Sequence, residues 1–224
     1  MKPPPPIAGR PNNAPHAHAA LQLAFGLAGG VSVDLGGGQT LVAEALLIGP
    51  GVRHRLLGDG TVGLVYVEPQ TPLGAGWLSL LDGRDAIATP PTLMRGVDTG
   101  AGPDAWIAEL GAAASTAPSP TPNPRLLGVL DELAARPGLP IAAAGEAAGL
   151  SETHLRALAR RHLGFPLSTW LLWRKLERAA REMAAGASLA GAAAAGGFAD
   201  QAHYARTMRR MFGVTPAMAR VALT

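Results

Sequence analysis

The sequence predicts a two-domain protein, with an N-terminal all-β barrel that carries short helices and a C-terminal all-α domain. Its 224 residues suffice for two domains of roughly a hundred residues each. Glycine and proline are concentrated before residue 125, whereas the chain beyond it is rich in Ala, Leu and Arg at helical spacing. Charge divides at the same point: residues 1–124 hold 6 Lys and Arg against 9 Asp and Glu, and residues 125–224 hold 13 against 7. An arginine-rich helical half beside an acidic half favours a polyanionic partner for the second half.

Composition narrows the function classes further. Hydrophobic residues make up 48% of the chain, enough for a substantial core, and the absence of cysteine excludes disulfides, a cysteine nucleophile and a thiolate zinc site. Charges, Gly or Pro interrupt every apolar run, so we expect no membrane span. Because the proline-rich start lacks the apolar core of a signal peptide, we expect a soluble, cytoplasmic protein.

A short proline-rich segment marks the domain boundary. Residues 114–124 (ASTAPSPTPNP) have the small, polar composition typical of linkers. We therefore predict a first domain over residues 1–113, a linker over 114–124 and a second domain over 125–224.

The sequence of the first domain predicts short strands followed by two helices. Apolar runs separated by glycine-rich turns predict a meander or small barrel, and the chain that follows them predicts helices at 73–81 and 104–114. The predicted strands cover residues 21–28, 31–35, 40–48, 52–57 and 62–67. On the second helix Trp106, Ile107 and Leu110 form an apolar stripe, which can either mediate a homodimer or pack on its own barrel.

The second domain contains the same helix-turn-helix pattern twice. In residues 141–161 a helix of small residues reaches Gly149, Leu150 points inward and Ser151 caps a second helix. In residues 188–211 Gly197 stands at the turn, Phe198 points inward and Asp200 caps the second helix.

A predicted helix over 167–185 separates the two units. Its length of roughly 28 Å would place the two second helices about one DNA turn apart. Glu177 and Arg181 are four residues apart on it and predict an ordinary surface ion pair.

Three segments of this domain resemble a known family. LSETHLRALARRHLG, WLLWRKLERAAREM and GFADQAHYARTMRRMFGVTP are similar to the AraC/XylS-type transcriptional regulators, over roughly residues 125–220. The resemblance implies that the second helix of each unit enters the major groove. It also implies that six side chains face DNA, namely Thr153, Arg156, Arg160, Gln201, Arg206 and Arg209. We add the neighbouring Arg210 as a phosphate contact.

The chemistry of these side chains suggests different roles on DNA. Arg156 and Arg206 are suited to a bidentate contact with guanine, and Gln201 to an adenine edge or a phosphate. We expect the remaining three arginines to contact phosphates. Because the alanines on the same faces offer only apolar contact, we expect a short, degenerate recognition sequence.

The first domain resembles the cupin barrels at two motifs. His16, His18 and Gln22 precede Gly29, and a second motif runs from Gly49 to His54. The resemblance implies that His16, His18 and His54 stand at metal-ligand positions, with Gln22 where a glutamate would be. Three interpretations stay open at this point: a small-molecule pocket without metal, a pocket that holds a divalent metal, and a purely structural set of histidines.

Together these patterns predict a sequence-specific DNA-binding regulator, not an enzyme, controlled by a small-molecule effector in the cupin-like domain. Its expected partners are double-stranded DNA, the effector, a second copy of the chain and, for an activator, RNA polymerase. The alternative is a metal-dependent cupin enzyme fused to a DNA-binding domain. Such an enzyme would have only Glu44 and Glu68 as strand-region glutamates for acid or base chemistry.

Overall fold

A computed structural model describes residues 7–9, 13–101, 103–114 and 123–223. Most of the predicted linker, residues 115–122, lies outside these ranges, so the proposed domain bounds stay a prediction. No helix in the described ranges is both long enough and apolar enough to cross a membrane.

The N-terminal region combines short strands with three helices. The strands are β1 (Ile7–Gly9), β2 (Leu21–Gly26), β3 (Val31–Asp34), β4 (Thr40–Ala43), β5 (Ala45–Ile48), β6 (Arg55–Leu57), β7 (Val62–Val67) and β8 (Ala86–Ala88). The helices are α1 (Pro72–Leu81), α2 (Pro91–Met94) and α3 (Pro103–Ala114).

The strands form two open antiparallel sheets, which corrects the expectation of a closed barrel. The larger sheet has the order β1-β7-β2-β5-β8 and the smaller one β4-β3-β6. The predicted strand over 40–48 divides at Glu44, since β4 pairs with β3 in the small sheet and β5 pairs with β2 in the large one. Because the chain changes sheets there, no continuous ladder links the sheets into a barrel among the described strands.

Strand β2 is central because both of its faces are covered. Leu21, Leu23 and Phe25 pack with Trp77 and Trp106 on one face, and Ala24 packs toward the small sheet on the other. Burial on both sides explains why this strand reads as a continuous apolar run rather than as an alternating one.

The C-terminal region consists of helices. They are α4 (Pro124–Ala135), α5 (Ile141–Ala147), α6 (Glu152–Leu163), α7 (Leu167–Ala184), α8 (Leu189–Gly196), α9 (Gln201–Phe212) and α10 (Pro216–Leu223). The pairs α5–α6 and α8–α9 confirm the two predicted helix-turn-helix units, and α7 is the continuous helix expected between them.

The turns of the two units are built as the sequence predicts. Gly149 and Gly197 have φ angles of 66° and 75°, in the left-handed region where a side chain is strained. Leu150 and Phe198, which follow them, are buried. The Ser151 side chain accepts a hydrogen bond from the backbone N–H of His154 at 3.3 Å, and Asp200 accepts one from His203 at 2.6 Å.

The two regions share one apolar cluster. Ala19, Ala20 and Tyr66 of the N-terminal region pack in the same core as Trp173 and Tyr204 of the helices. Helix α7 therefore connects the two units and also contacts the sheets.

Helix α3 packs on its own region with two residues of its apolar stripe, which is one of the two roles considered for it. Trp106 is 1% exposed and Leu110 is fully buried, and the Trp106 ring meets Phe25 edge-on at a centroid distance of 4.9 Å.

We expect Trp106→Ala to lower the free energy of unfolding by about 3–5 kcal/mol, because it removes a large buried ring from this core. Urea denaturation measures the loss, and the half-buried Ile107→Ala serves as the milder control. On size-exclusion chromatography Trp106→Ala should have the same oligomeric state as the wild type. A variant of wild-type stability and altered oligomeric state would place the stripe at an interface instead.

Candidate nucleic-acid interface and histidine site

Helix α6 presents one apolar and one polar face. Leu155, Leu158, Ala159 and Leu163 are buried against the helical core. Thr153, Arg156 and Arg160 are exposed on the opposite side, so these predicted DNA-facing side chains are accessible to a duplex.

Arg156 has a partner that the sequence reasoning missed. Its guanidinium forms an ion pair with Glu152, one turn earlier on the same face. The side chains are 74% and 61% exposed, and such solvent-screened pairs contribute little to stability. Arg156 can therefore exchange this carboxylate for a nucleic-acid acceptor at small cost. The i,i+4 spacing of the two residues was the available signal.

Helix α9 repeats the arrangement. Its buried face consists of Tyr204, Thr207, Met208 and Met211. The side chains predicted to face DNA are all exposed, namely Gln201, Arg206, Arg209 and Arg210. Each unit thus offers an arginine-bearing surface on its second helix.

Helix α7 keeps the two units at a set separation. It has 18 residues, which corresponds to about 27 Å of helix. Since Trp170 and Trp173 are buried, α7 is held in the core rather than free in solvent.

The ion pair predicted on the surface of α7 is buried on its glutamate side, which corrects that expectation, while Arg181 stays exposed. Glu177 is 4% exposed and pairs with both Arg174 and Arg181. Arg174 also lies 3.5 Å from the carboxylate of Glu68 in the N-terminal region. The packing of α7 onto the sheets buries these charges, and the sequence spacing alone does not reveal that neighbour.

The structure brings His16, His18 and His54 together, as the two motifs predict. The three side chains are each 1% exposed, and one ligand nitrogen from each ring lies within 4.8 Å of the others. The ring centroids of His16 and His54 are 4.3 Å apart. The backbones of these two residues also form an antiparallel bridge.

Each ring is oriented by a carbonyl oxygen of its own segment. The Nδ1 atoms lie 2.9 Å from the Ala14 oxygen for His16, 2.9 Å from that of Ala20 for His18, and 3.0 Å from that of Val52 for His54. A carbonyl oxygen can only accept, so in each ring Nδ1 carries the hydrogen and donates. In the neutral rings the Nε2 atoms then carry lone pairs.

Gln22 completes this group. Its Oε1 atom lies 2.7 Å from Nε2 of His18 and 3.2 Å from Nε2 of His54, while its amide nitrogen is buried with no hydrogen-bond partner among the described residues. The oxygen thus faces two nitrogen lone pairs, an arrangement that a cation between them would stabilise. Without a cation, the amide satisfies both rings by turning over and donating from its NH₂ group.

The electrostatics keep the rings neutral. Burial, with His54 adding to the effect, lowers the pKa of His16 to about 3. Burial and the two neighbouring rings lower the pKa of His18 well below its usual value, and burial also lowers the pKa of His54. Neutral imidazole is the form that binds metals, and the carbonyl-held Nδ1–H is the usual second contact of a metal-bound histidine. The donor set therefore fits a divalent transition metal, with three imidazoles and one amide oxygen.

These pKa shifts predict an acid-sensitive metal-free protein. Above about pH 6.5 the three histidines are neutral in the folded and in the unfolded protein, so their protonation does not affect the free energy of unfolding. As pH falls below that value the unfolded chain takes up protons that the folded site does not, so the free energy of unfolding decreases. Each such histidine contributes up to about 1.4 kcal/mol per pH unit.

Urea denaturation of chelator-treated protein between about pH 7 and 5 measures this slope. The paired change His16→Ala with His54→Ala should flatten it, whereas the exposed His154→Ala should leave it unchanged. Equal slopes in all three proteins would contradict the assignment.

Comparisons with known proteins agree with this arrangement. A family model described as a helix-turn-helix domain matches residues 144–221, which include most of the first unit and all of the second. No curated protein matches the sequence. Three solved structures of ToxT from Vibrio cholerae share the fold.

A ToxT variant in its apo form has 9% identity and a TM-score of 0.61, covering 100% of this chain and 95% of that one. A second ToxT structure has 9% identity and a TM-score of 0.60, covering 98% and 97%. Wild-type ToxT with an unsaturated fatty acid bound has 10% identity and a TM-score of 0.58, covering 98% and 95%. The helices that follow the sheets thus include a helix-turn-helix domain over residues 144–221, and the fold of the chain is that of ToxT.

Proposed function

We propose that this chain is a DNA-binding transcriptional regulator of the AraC/XylS type, that it reads two successive major-groove segments with α6 and α9, and that an effector bound in its N-terminal region controls it. The observation that carries the DNA-binding mode is the pair of exposed arginine faces at either end of one buried helix, α7. Two helices held in this way suit segments about one DNA turn apart.

The exposed side chains divide into two roles on DNA. Arg156 and Arg206 read guanine edges, since a guanidinium matches the O6 and N7 acceptors bidentately. Arg160, Arg209 and Arg210 lie near the C-terminal ends of their helices and bind phosphates, which positions the protein without reading sequence. Thr153 and Gln201, in the first turns, contribute shorter polar contacts.

For the effector we propose a divalent transition metal held by His16, His18 and His54, with the Gln22 oxygen as fourth ligand. When bound, the metal supplies a positive charge to which lone pairs from separate chain segments coordinate. The support comes from the burial of the rings, the carbonyl contacts of their Nδ1 atoms and the position of the Gln22 amide beside two Nε2 atoms.

Control by a small molecule also has support from the ToxT structure that holds an unsaturated fatty acid. In the present chain the buried cation between the two regions, Arg174, already pairs with Glu68 and Glu177. A carboxylate effector would have to displace these partners, which favours the metal.

The carboxylates do not favour the alternative of a metal-dependent enzyme. In the described part of the chain the metal-ligand cluster contains no carboxylate. Of the two glutamates considered as an acid or base, Glu68 pairs with Arg174 and Glu44 is exposed.

Selection of full-length protein against a randomised duplex pool should yield a short, degenerate sequence in two segments. Arg206→Ala should relax the preference at one guanine by about 1–3 kcal/mol. Arg210→Ala should weaken binding to all duplexes and reduce the slope of log affinity against log salt by about 1. Arg125→Ala, at the exposed start of α4, removes one charge away from either face and should change neither. A long, fully specified site, or no duplex affinity at low salt, would contradict the proposal.

Metal analysis of the purified protein should find one divalent transition metal per chain. Treatment with a chelator should remove it, and the paired change His16→Ala with His54→Ala should abolish its return. Gln22→Glu should tighten binding, because a carboxylate is a stronger ligand than an amide. His154→Ala is the control with full metal content. A wild-type protein that binds no metal would overturn this part of the proposal.

A further inference from the structure

The histidines lie on two segments that the backbone joins into one unit, here called the histidine platform (residues 13–18 and 49–54). His16 and His54 each donate a backbone N–H to the carbonyl of the other, both at 2.9 Å. Gly51 donates to the carbonyl of His18 at 2.8 Å. A ligand shared by the three rings therefore constrains both segments together.

The second helix of the second unit ends against this platform, and that of the first unit ends beside it. Gly213 and Gly164 stand at equivalent positions, as the left-handed caps of α9 and α6. Ala14 donates its N–H to the carbonyl of Gly213 at 2.9 Å, and a Cβ at Gly213 would lie only 2.3 Å from the Ala14 oxygen. A Cβ at Gly164 would lie 3.5 Å from Cγ of Pro50, which is ordinary contact.

Aromatic rings reinforce the contact at α9. Phe212, its last residue, packs on Trp173 at 5.4 Å and on Tyr66 at 5.5 Å between ring centroids. The ring of His18 lies 6.3 Å from Phe212 and 6.2 Å from Trp173. A proposed metal ligand thus packs directly against the end of α9 and the middle of α7.

We infer that metal at the histidine platform sets the relative orientation of α6 and α9, and so couples metal binding to the recognition of two-segment DNA. This inference rests on the metal site proposed above. A metal that ties the two platform segments together restricts the positions of both helix ends, which raises the fraction of molecules ready to engage both segments at once. Single-segment binding needs no such alignment and is unaffected.

The test uses the full chain, Zn²⁺ as the metal and the duplex recovered by selection. Zn²⁺ should tighten binding to the two-segment duplex by about 5- to 150-fold relative to chelator-treated protein, the usual range for coupled sites. By linkage, the duplex should raise Zn²⁺ affinity by the same factor. A duplex with half a helical turn inserted between the segments should show no coupling in either direction.

Phe212→Leu separates coupling from metal binding, because it removes the ring contacts at the end of α9 and leaves the carbonyl oxygens that orient the histidines in place. It should keep the Zn²⁺ affinity of the DNA-free wild type and lose the mutual enhancement. Gly213→Ala, whose new Cβ would lie 2.3 Å from the Ala14 oxygen that accepts from His16, should lose the coupling and weaken Zn²⁺ binding as well. Gly186→Ala is its matched control, because it has a φ of 92°, is exposed and has nothing within 4 Å of the added Cβ, and it should keep both.

The outcomes distinguish the two proposals. Wild-type protein that binds Zn²⁺ with no effect of DNA on its affinity would overturn the coupling and leave the metal site standing. Protein that does not bind Zn²⁺ would overturn both. Full coupling in folded Gly213→Ala or in Phe212→Leu would show that the platform contact does not carry it.

Discussion

The packing of Phe212 and Trp173 against Tyr66 and His18 joins the two halves of the molecule. The rings come from α9, α7, β7 and the segment before β2, so one contact holds the end of a DNA-facing helix, the helix between the two units and the sheet region. Aromatic rings in this setting exclude water over a large area and favour particular mutual orientations. The same burial keeps His18 neutral and thereby able to bind a metal.

A second consequence of this packing is the buried charge on α7. Arg174 and Glu177 are removed from water where α7 meets the N-terminal region, and Glu68 supplies a further carboxylate. Such a group need not add net stability, but the loss of one partner leaves another charge buried and unpaired. The ion group therefore favours the docked arrangement over alternatives in which α7 meets the sheets elsewhere.

The DNA-facing surfaces and the histidine site differ in how far the sequence predicts them. On α6 and α9 the exposed arginines follow from helical periodicity, and the left-handed glycine and the capping residue mark each turn. The histidines were predicted to meet, yet the carbonyl contacts that set their tautomers and the contact of His18 with Phe212 depend on chain segments far apart in sequence. Local patterns carry no information on such neighbours.

By itself the sequence determined the two-part organisation, the two helix-turn-helix units and the helix between them, since each depends on residues within one or two turns of each other. Tertiary structure decided that the strands form two open sheets, because the chain changes sheets at Glu44. It also decided that Glu177 is buried and that Gly213 ends α9 against the histidine platform, with Gly164 at the end of α6 beside it. These features arise from long-range packing, in which burial and close approach depend on partners that no local spacing identifies.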